Sequence, residues 1–520
     1  MRAGHPYLLS GRVTVGNTTA QREAVVNEKT HHHVIIIGTG FAGLGMAIRL
    51  RQHGMTDFVV LERAADVGGT WRDNRYPGCA CDVPSRLYSF SFELNPAWSR
   101  NFSGQQEIWD YLRHCTDSYG VRPHIRFQHE VLAAAWDHPQ RRWRISTNGG
   151  ELSCDVLITG TGALSEPNVP SIPGLESFQG TVFHSARWNR DYNLRNRHVA
   201  VVGTGASAIQ FVPQIAPEVA SLTLFQRTPA WIMPRSEREF GRIEQKLYRT
   251  LPAVQQFVRA AVYCGREALV PGFAVNPRLL KGAELIARAH LRRQVADPQL
   301  RAKLTPDYTI GCKRILISND YLPALTRPNV DVITSGIAQV GADWVQATDG
   351  TRRKVDTIIF GTGFHVTDMP MASWIHGRDG RTLAEAWSGG AQAHRGTTVA
   401  GFPNLFILVG PNTGLGHTSL IYMIESQVAY TIDALRHLER TGAPAVEVRP
   451  EAQLAYNQTV QRRMAGTVWT AGGCESWYLD AHGHNTTLWP TFTWRFRRAT
   501  RRFQPAEYLL HDHASQPAVA

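Results

Sequence analysis

The sequence predicts an α/β fold of two Rossmann-like units, the first discontinuous and carrying the second as an insertion, with a helical insert inside the second. Three observations predict it. Two apolar strands each run into a G-x-G-x-x-G/A turn and then a helix. In each unit the next strand ends near a charged residue, at the same offset from the first glycine. Two further apolar strands end in Gly-Thr-Gly turns, where a chain can leave and re-enter a unit.

The first unit opens with His33-Val34-Ile35-Ile36-Ile37, which reads as a buried parallel strand, followed by Gly38-Thr39-Gly40-Phe41-Ala42-Gly43. Gly38 permits the tight turn, Gly40 lets a pyrophosphate approach the backbone, and Gly43 allows close packing of helix on strand. The helix starting at Phe41 offers its free N–H groups to the phosphates. The strand Phe58–Leu61 then ends at Glu62, 24 residues after Gly38, where a carboxylate accepts hydrogen bonds from both ribose hydroxyls.

The pattern recurs at Val199–Val202 and Gly203-Thr204-Gly205-Ala206-Ser207-Ala208, with Ala208 as the third small residue. Leu222–Phe225 leads to Arg227 and Thr228, with Arg227 again 24 residues past the first glycine. A carboxylate there would repel a 2′-phosphate, whereas arginine and threonine bind one. The second site therefore suits NADPH. Two dinucleotide sites in one chain imply electron transfer between them, so the first is assigned to FAD.

The strands Val156–Thr159 and Thr357–Phe360, with their Gly-Thr-Gly turns, set the expected boundaries. Residues 1–30 read as a polar leader, 31–165 and 356–520 as the discontinuous FAD domain, and 166–235 and 305–355 as the NADPH domain. Residues 236–304 read as a helical insert, rich in Ala, Leu and Arg at helical spacing, forming part of the substrate entrance.

Composition excludes several classes. At 520 residues and 43% hydrophobic content the chain can bury two or three cores, and 19% charge argues against disorder. No apolar run approaches the roughly 20 residues of a membrane span, and no apolar signal region follows Arg2, so a cytoplasmic protein is expected. Seven cysteines fit free thiols in a reducing compartment; Cys79 and Cys81 form C-x-C, not a redox C-x-x-C, and no metal-ligand spacing appears. His31, His32 and His33 read as a solvated segment before the first strand. The net charge of +12 is densest from Arg495 to Arg502, interleaved with Phe496 and Phe503. Such a cluster can bind single-stranded nucleic acid; a solvated face over aromatic core is the reading adopted, with no nucleic-acid partner.

Four motifs carry a resemblance. Phe178-x-Gly180-x-x-x-His184-x-x-x-Trp188 is similar to a flavoprotein monooxygenase signature, with the tryptophan of the Baeyer–Villiger branch; Asn189 departs from the usual Pro or Asp. Gly68-Gly69-Thr70-Trp71, Tyr76-Pro77-Gly78 and Asp82 match a second motif of that branch at every fixed position. Gly311-Cys312-Lys313-Arg314 with Asn319-Asp320-Tyr321 resembles its catalytic-arginine region, and Gly410-Pro411-Asn412-Thr413-Gly414 a fourth. The likeness spans residues 33–500 or so.

The resemblance implies that NADPH reduces FAD, oxygen adds at flavin C4a, and the peroxyflavin attacks a ketone to give an ester or lactone. The attacking anion calls for a charge that stabilises it without protonating it, which arginine supplies better than lysine. Arg314 is assigned that role and Asp82 the role of positioning it. Gly69, Thr70, Trp71, Asp82 and Asn412 are implied FAD contacts, and Lys313 is placed beside Arg227 at the 2′-phosphate. The helix from Ser419 to Ala434 would aim its N-terminus at the flavin. His184 reads as a hinge or cofactor-domain contact, and Trp469, Trp477, Trp489 and Trp494 mostly as core. An N- or S-oxygenating flavin monooxygenase is the alternative, though it has no need of an Asp82/Arg314 pair. A disulfide reductase lacks its dithiol here, and a nucleotide-binding sensor is the non-enzymatic reading. The sequence leaves the identity of the ketone and the oligomeric state open.

Overall fold

The structure, a computed structural model, describes residues 29–511; nearly all of the expected leader lies outside them. Strand β1 (His31–Ile37) enters helix α1 (Phe41–Gln52) and returns as β2 (Phe58–Glu62). Strands β3 (Ile125–Phe127), β4 (Val131–Asp137), β5 (Arg142–Thr147) and β6 (Gly150–Thr159) follow. The second unit contains β7 (Thr181–His184), β8 (His198–Val202), α2 (Ala208–Ile215) and β9 (Ser221–Phe225). Helices α3 (Arg242–Thr250), α4 (Pro252–Glu267) and α5 (Lys281–Gln294) make the insert. The chain then forms β10 (Val330–Ile333), β11 (Thr357–Phe360), β12 (Ile375–His376), β13 (Leu405–Ile407) and the long helix α6 (Leu420–Thr441).

The larger sheet has eight strands in the order β12-β4-β5-β6-β1-β2-β3, with β13 also paired to β6. Its centre is parallel, β1 lying between β2 and β6, which explains why β2 is buried throughout. Helix α1 covers one face and packs with α6 in a single apolar cluster that includes Leu44, Ile48, Ile424 and Leu435. Each such fully buried side chain contributes roughly 1.5–3 kcal/mol. The smaller sheet is wholly parallel, in the order β10-β9-β8-β11-β7. Both glycine turns thus open at the carboxyl ends of parallel strands, where ligands bind in such sheets.

Four expectations require correction. The boundary drawn at 355/356 falls too early: β11 pairs with β7 and β8 in the smaller sheet, so the chain leaves that unit only after Phe360. The three histidines belong to β1 itself, with His31 held by Ser153 and His33 by Asp155 of the neighbouring strand, each at 2.9 Å. Cys312 and Cys474 form a disulfide across 162 residues, leaving five free thiols among the described residues. Trp469 and Trp489 are core, but Trp477 and Trp494 are exposed. Among the described residues no helix is long and apolar enough to cross a membrane, and no cluster of His, Cys, Asp or Glu fits a metal ion.

Candidate active site

The first turn is built for close approach. A Cβ on Gly43 would fall 1.9 Å from the Gly38 carbonyl oxygen, so α1 can start against the strand only without a side chain there. Gly69, at φ 50°, faces Gly40 backbone to backbone, its Cβ position 3.0 Å from the Gly40 Cα. Helix α1 has no side-chain cap and no acid in its first turn, which leaves its N-terminal N–H groups free for an anion. The ring of Phe41 turns into an aromatic cluster with Tyr88 and Phe90, so only its backbone can meet a phosphate. Thr70 reaches the Leu164 carbonyl at 3.4 Å, and the Trp71 indole donates to Tyr88 at 3.0 Å.

Glu62 is buried at the end of β2. Its Oε2 accepts from the backbone N–H and hydroxyl of Thr39, and Oε1 meets Ala64 N and Arg72 at 2.9 Å each. The carboxylate thus already ties the second strand to the turn, and a ribose hydroxyl must share one of these acceptor positions. These features fit FAD: uncapped donors for the pyrophosphate, side-chain-free backbone beside it, and a buried carboxylate at the ribose position.

The second turn repeats the logic. Gly203 has φ 106°, and a Cβ there would meet the Gly361 carbonyl oxygen, while one on Gly205 would only touch that oxygen at 3.9 Å. Helix α2, preceded by Ser207 and starting at Ala208, has no side-chain cap and no acid in its first turn. Arg227 is exposed beyond β9, and the Thr204 hydroxyl bonds the Thr228 carbonyl at 3.2 Å. Burial and the charge of Arg227 lower the pKa of Lys313, so two cations converge where a 2′-phosphate was expected.

Arg314 donates from Nε and Nη2 to the two oxygens of Asp82, both at 2.7 Å. The side chains are 26% and 23% exposed. Burial would raise the Asp82 pKa, but Arg314 beside it holds the carboxyl below its usual range; the same pairing raises Arg314 further. Nη1 is left with one distant partner, the Leu415 carbonyl at 3.4 Å, in the loop before α6. That helix begins at Leu420 with Ser419 as its cap. Asn412, at φ 56°, sends both amide hydrogens to the carbonyls of Asn485 and Leu488, stitching its loop to the C-terminal segment.

His184 lies where the two units join. Its Nδ1 accepts from Ala186 N at 3.1 Å, and its ring packs edge-on against Phe364. Nε2 is buried near the Gly363 backbone without closing a hydrogen bond, and burial pushes the pKa down to about 4. At the joint the ring is thus held between Ala186 and Phe364.

Several residues around the site carried no sequence signal. Gln210 of α2 clamps the first unit, accepting from the Tyr76 hydroxyl and Ala80 N and donating to the Ala80 carbonyl. Glu267, at the end of α4, accepts from Thr493 and bonds His417 at 3.0 Å, tying the insert to the loop before α6. The charge of Arg266 is felt by both Asp82 and Arg314. Tyr478 is buried beside the same pair, its pKa raised to about 12 by burial. Only folding brings these residues to the site.

Known proteins agree with this geometry. A family model described as pyridine nucleotide-disulphide oxidoreductase matches residues 35–256, the stretch containing both glycine turns. A Baeyer–Villiger monooxygenase of Streptomyces coelicolor is 57% identical over 93% of this chain and 94% of its own. One of Pseudomonas aeruginosa is 51% identical over 92% of each. Among solved structures, a cyclohexanone monooxygenase from Rhodococcus sp. Phi1 bound to NADP+ superposes with a TM-score of 0.83 at 27% identity, covering 93% of this chain and 100% of that one. With both nucleotide turns, the Asp82–Arg314 pair and relatives matched over nearly its whole length, the chain belongs to the Baeyer–Villiger monooxygenases, FAD- and NADPH-dependent oxidoreductases.

Proposed function

We propose that the Asp82–Arg314 pair is the centre at which this monooxygenase inserts one atom of O2 beside a ketone carbonyl, giving an ester or lactone. The observation that carries the reading is the paired but incompletely satisfied guanidinium: two strong bonds to Asp82, and Nη1 with only the Leu415 carbonyl at 3.4 Å. Bound FAD supplies the redox chemistry, taking two electrons from NADPH and delivering activated oxygen.

The chain's own residues do the rest. Arg314 presents fixed positive charge to a developing oxyanion and cannot hand it a proton at working pH. Asp82 fixes its orientation through the two-pronged contact. Gly38, Gly40, Gly43 and Gly69 admit the FAD pyrophosphate, with Glu62 at its ribose. Gly203, Gly205, Ser207 and Ala208 hold the NADPH pyrophosphate, with Arg227, Thr228 and Lys313 at its 2′-phosphate. The NADPH requirement goes with a cytoplasmic location.

The test is turnover with a panel of cyclic, linear and aromatic ketones, following NADPH oxidation, oxygen uptake and ester by gas chromatography. Ester in step with NADPH, lost in Arg314→Ala with FAD retained, is expected. Oxidation of amines and sulfides with no ester from any ketone refutes the assignment.

A further inference from the structure

Helix α4 is built inside out. Its charged side chains face inward: Arg259 bonds the backbone at Arg86, Leu87 and Ser89, Arg266 faces the Asp82–Arg314 pair, and Glu267 bonds His417 and Thr493. Its exposed positions carry no charge, and among them are Ala253, Phe257, Ala260, Ala261 and Cys264, at helical spacing. Phe257 is 74% exposed. The preceding helix α3, packed against it, adds Ile243 at 87% exposure, with Leu247 and Leu251 continuing the stripe. An apolar face of this kind on a soluble helix marks an interaction surface.

The flanking charge selects the partner. Arg242, Lys246 and Arg249 run one or two positions from the stripe, all exposed, and none has a carboxylate partner among the described residues. The hairpin's acids are both engaged internally: Glu244 with Arg86, Arg238 and Tyr248, and Glu267 as above. The next helix repeats the pattern, with Leu285 and Ile286 exposed near Lys281 and Arg292. A second copy meeting this face about a twofold axis would oppose cation to cation. An apolar stripe edged by unpaired cations is instead the composition of a helix lying in an anionic lipid interface.

We infer that the α3–α4 hairpin docks this protein on an anionic membrane surface, with Ile243, Leu247, Leu251 and Phe257 inserted among the acyl chains and Arg242, Lys246 and Arg249 at the headgroups. The docking is peripheral. It places Arg266, and the charge pair behind it, on the inner side of a lipid-bound helix.

Flotation of the FAD-bound protein with phosphatidylcholine vesicles, with and without phosphatidylglycerol, tests this. Binding to the anionic vesicles is expected, at least about 10-fold weaker without phosphatidylglycerol and weakened by salt. Reversing the three cations (R242E, K246E, R249E) is expected to lower it by about 100-fold or more. The pair I243S and F257S should abolish it while the flavin content stays unchanged, since these side chains contact solvent. No binding to anionic vesicles overturns the inference, as does binding that survives both sets of changes. So does a native dimer, by light scattering, that I243S and F257S convert to monomer without any vesicle binding, because the face then belongs to a second copy.

Discussion

Replacing Asp82 by asparagine removes the charge that holds Arg314 while keeping the shape of the loop. Both lost contacts are charge-assisted bonds of 2.7 Å, and the two side chains are about a quarter exposed. At an effective dielectric near 20, unit charges ~4 Å apart attract by about 4 kcal/mol. Breaking a buried pair by removing one partner costs ~3–5 kcal/mol, and the partial exposure argues for the lower end, about 3 kcal/mol. With only the 3.4 Å contact to Leu415 remaining, that energy is what keeps the guanidinium in place. At ~1.4 kcal/mol per factor of ten, its loss lowers ester formation by about 100-fold. The glycine turns are untouched, so NADPH oxidation should continue, uncoupled from ester and appearing as hydrogen peroxide. Measuring ester by gas chromatography against NADPH consumed, with flavin content as control, separates the two steps. Ester formation within about threefold of native, or equal loss of ester and NADPH oxidation with FAD retained, refutes the positioning argument.

Three further outcomes follow from the same geometry. Arg227→Glu should raise the KM for NADPH by roughly 10–100-fold and leave that for NADH nearly unchanged, because it sets a carboxylate against a 2′-phosphate of about −2 charge; steady-state kinetics with both coenzymes reads it directly. His184 has a folded pKa of about 4 against 6.5 unfolded, so its contribution to stability is complete above pH 6.5 and is lost as pH falls toward 4. The difference corresponds to about 3 kcal/mol, and thermal melts between pH 7 and pH 4 should fall less steeply in His184→Phe. Gly43→Ala puts a carbon 1.9 Å from the Gly38 carbonyl oxygen and is expected to abolish FAD retention, visible as a colourless or insoluble protein, whereas Ala208→Gly in the second turn should retain full flavin.

The parallel core of each sheet and its turn were legible in the chain because each depends on short-range rules. An apolar run buried on both faces, a glycine where a side chain would collide, and an uncapped helix start are all written in a few adjacent residues, as at Ile35 to Gly43 and Val199 to Ala208. Glu62 and Arg227 likewise stand with opposite charge at the same offset from the first glycine of each turn. Asp82 and Arg314 were legible only through motif likeness, since 232 residues separate them and no local rule predicts their contact.

What tertiary structure alone decided is which segment serves which unit. Strand Thr357–Phe360 looked like a return to the first sheet, but pairing with Val199–Val202 satisfies its backbone in the second. The disulfide between Cys312 and Cys474, the Gln210 clamp and the Glu267–His417 bond join elements 130 or more residues apart. The outward apolar face of α4 is of the same kind. Its Ala, Phe and Arg content reads as an ordinary amphipathic helix until the fold shows that the arginines, not the phenylalanine, point inward. Periodicity states that a helix has two faces; only the surface it packs against determines which one meets water.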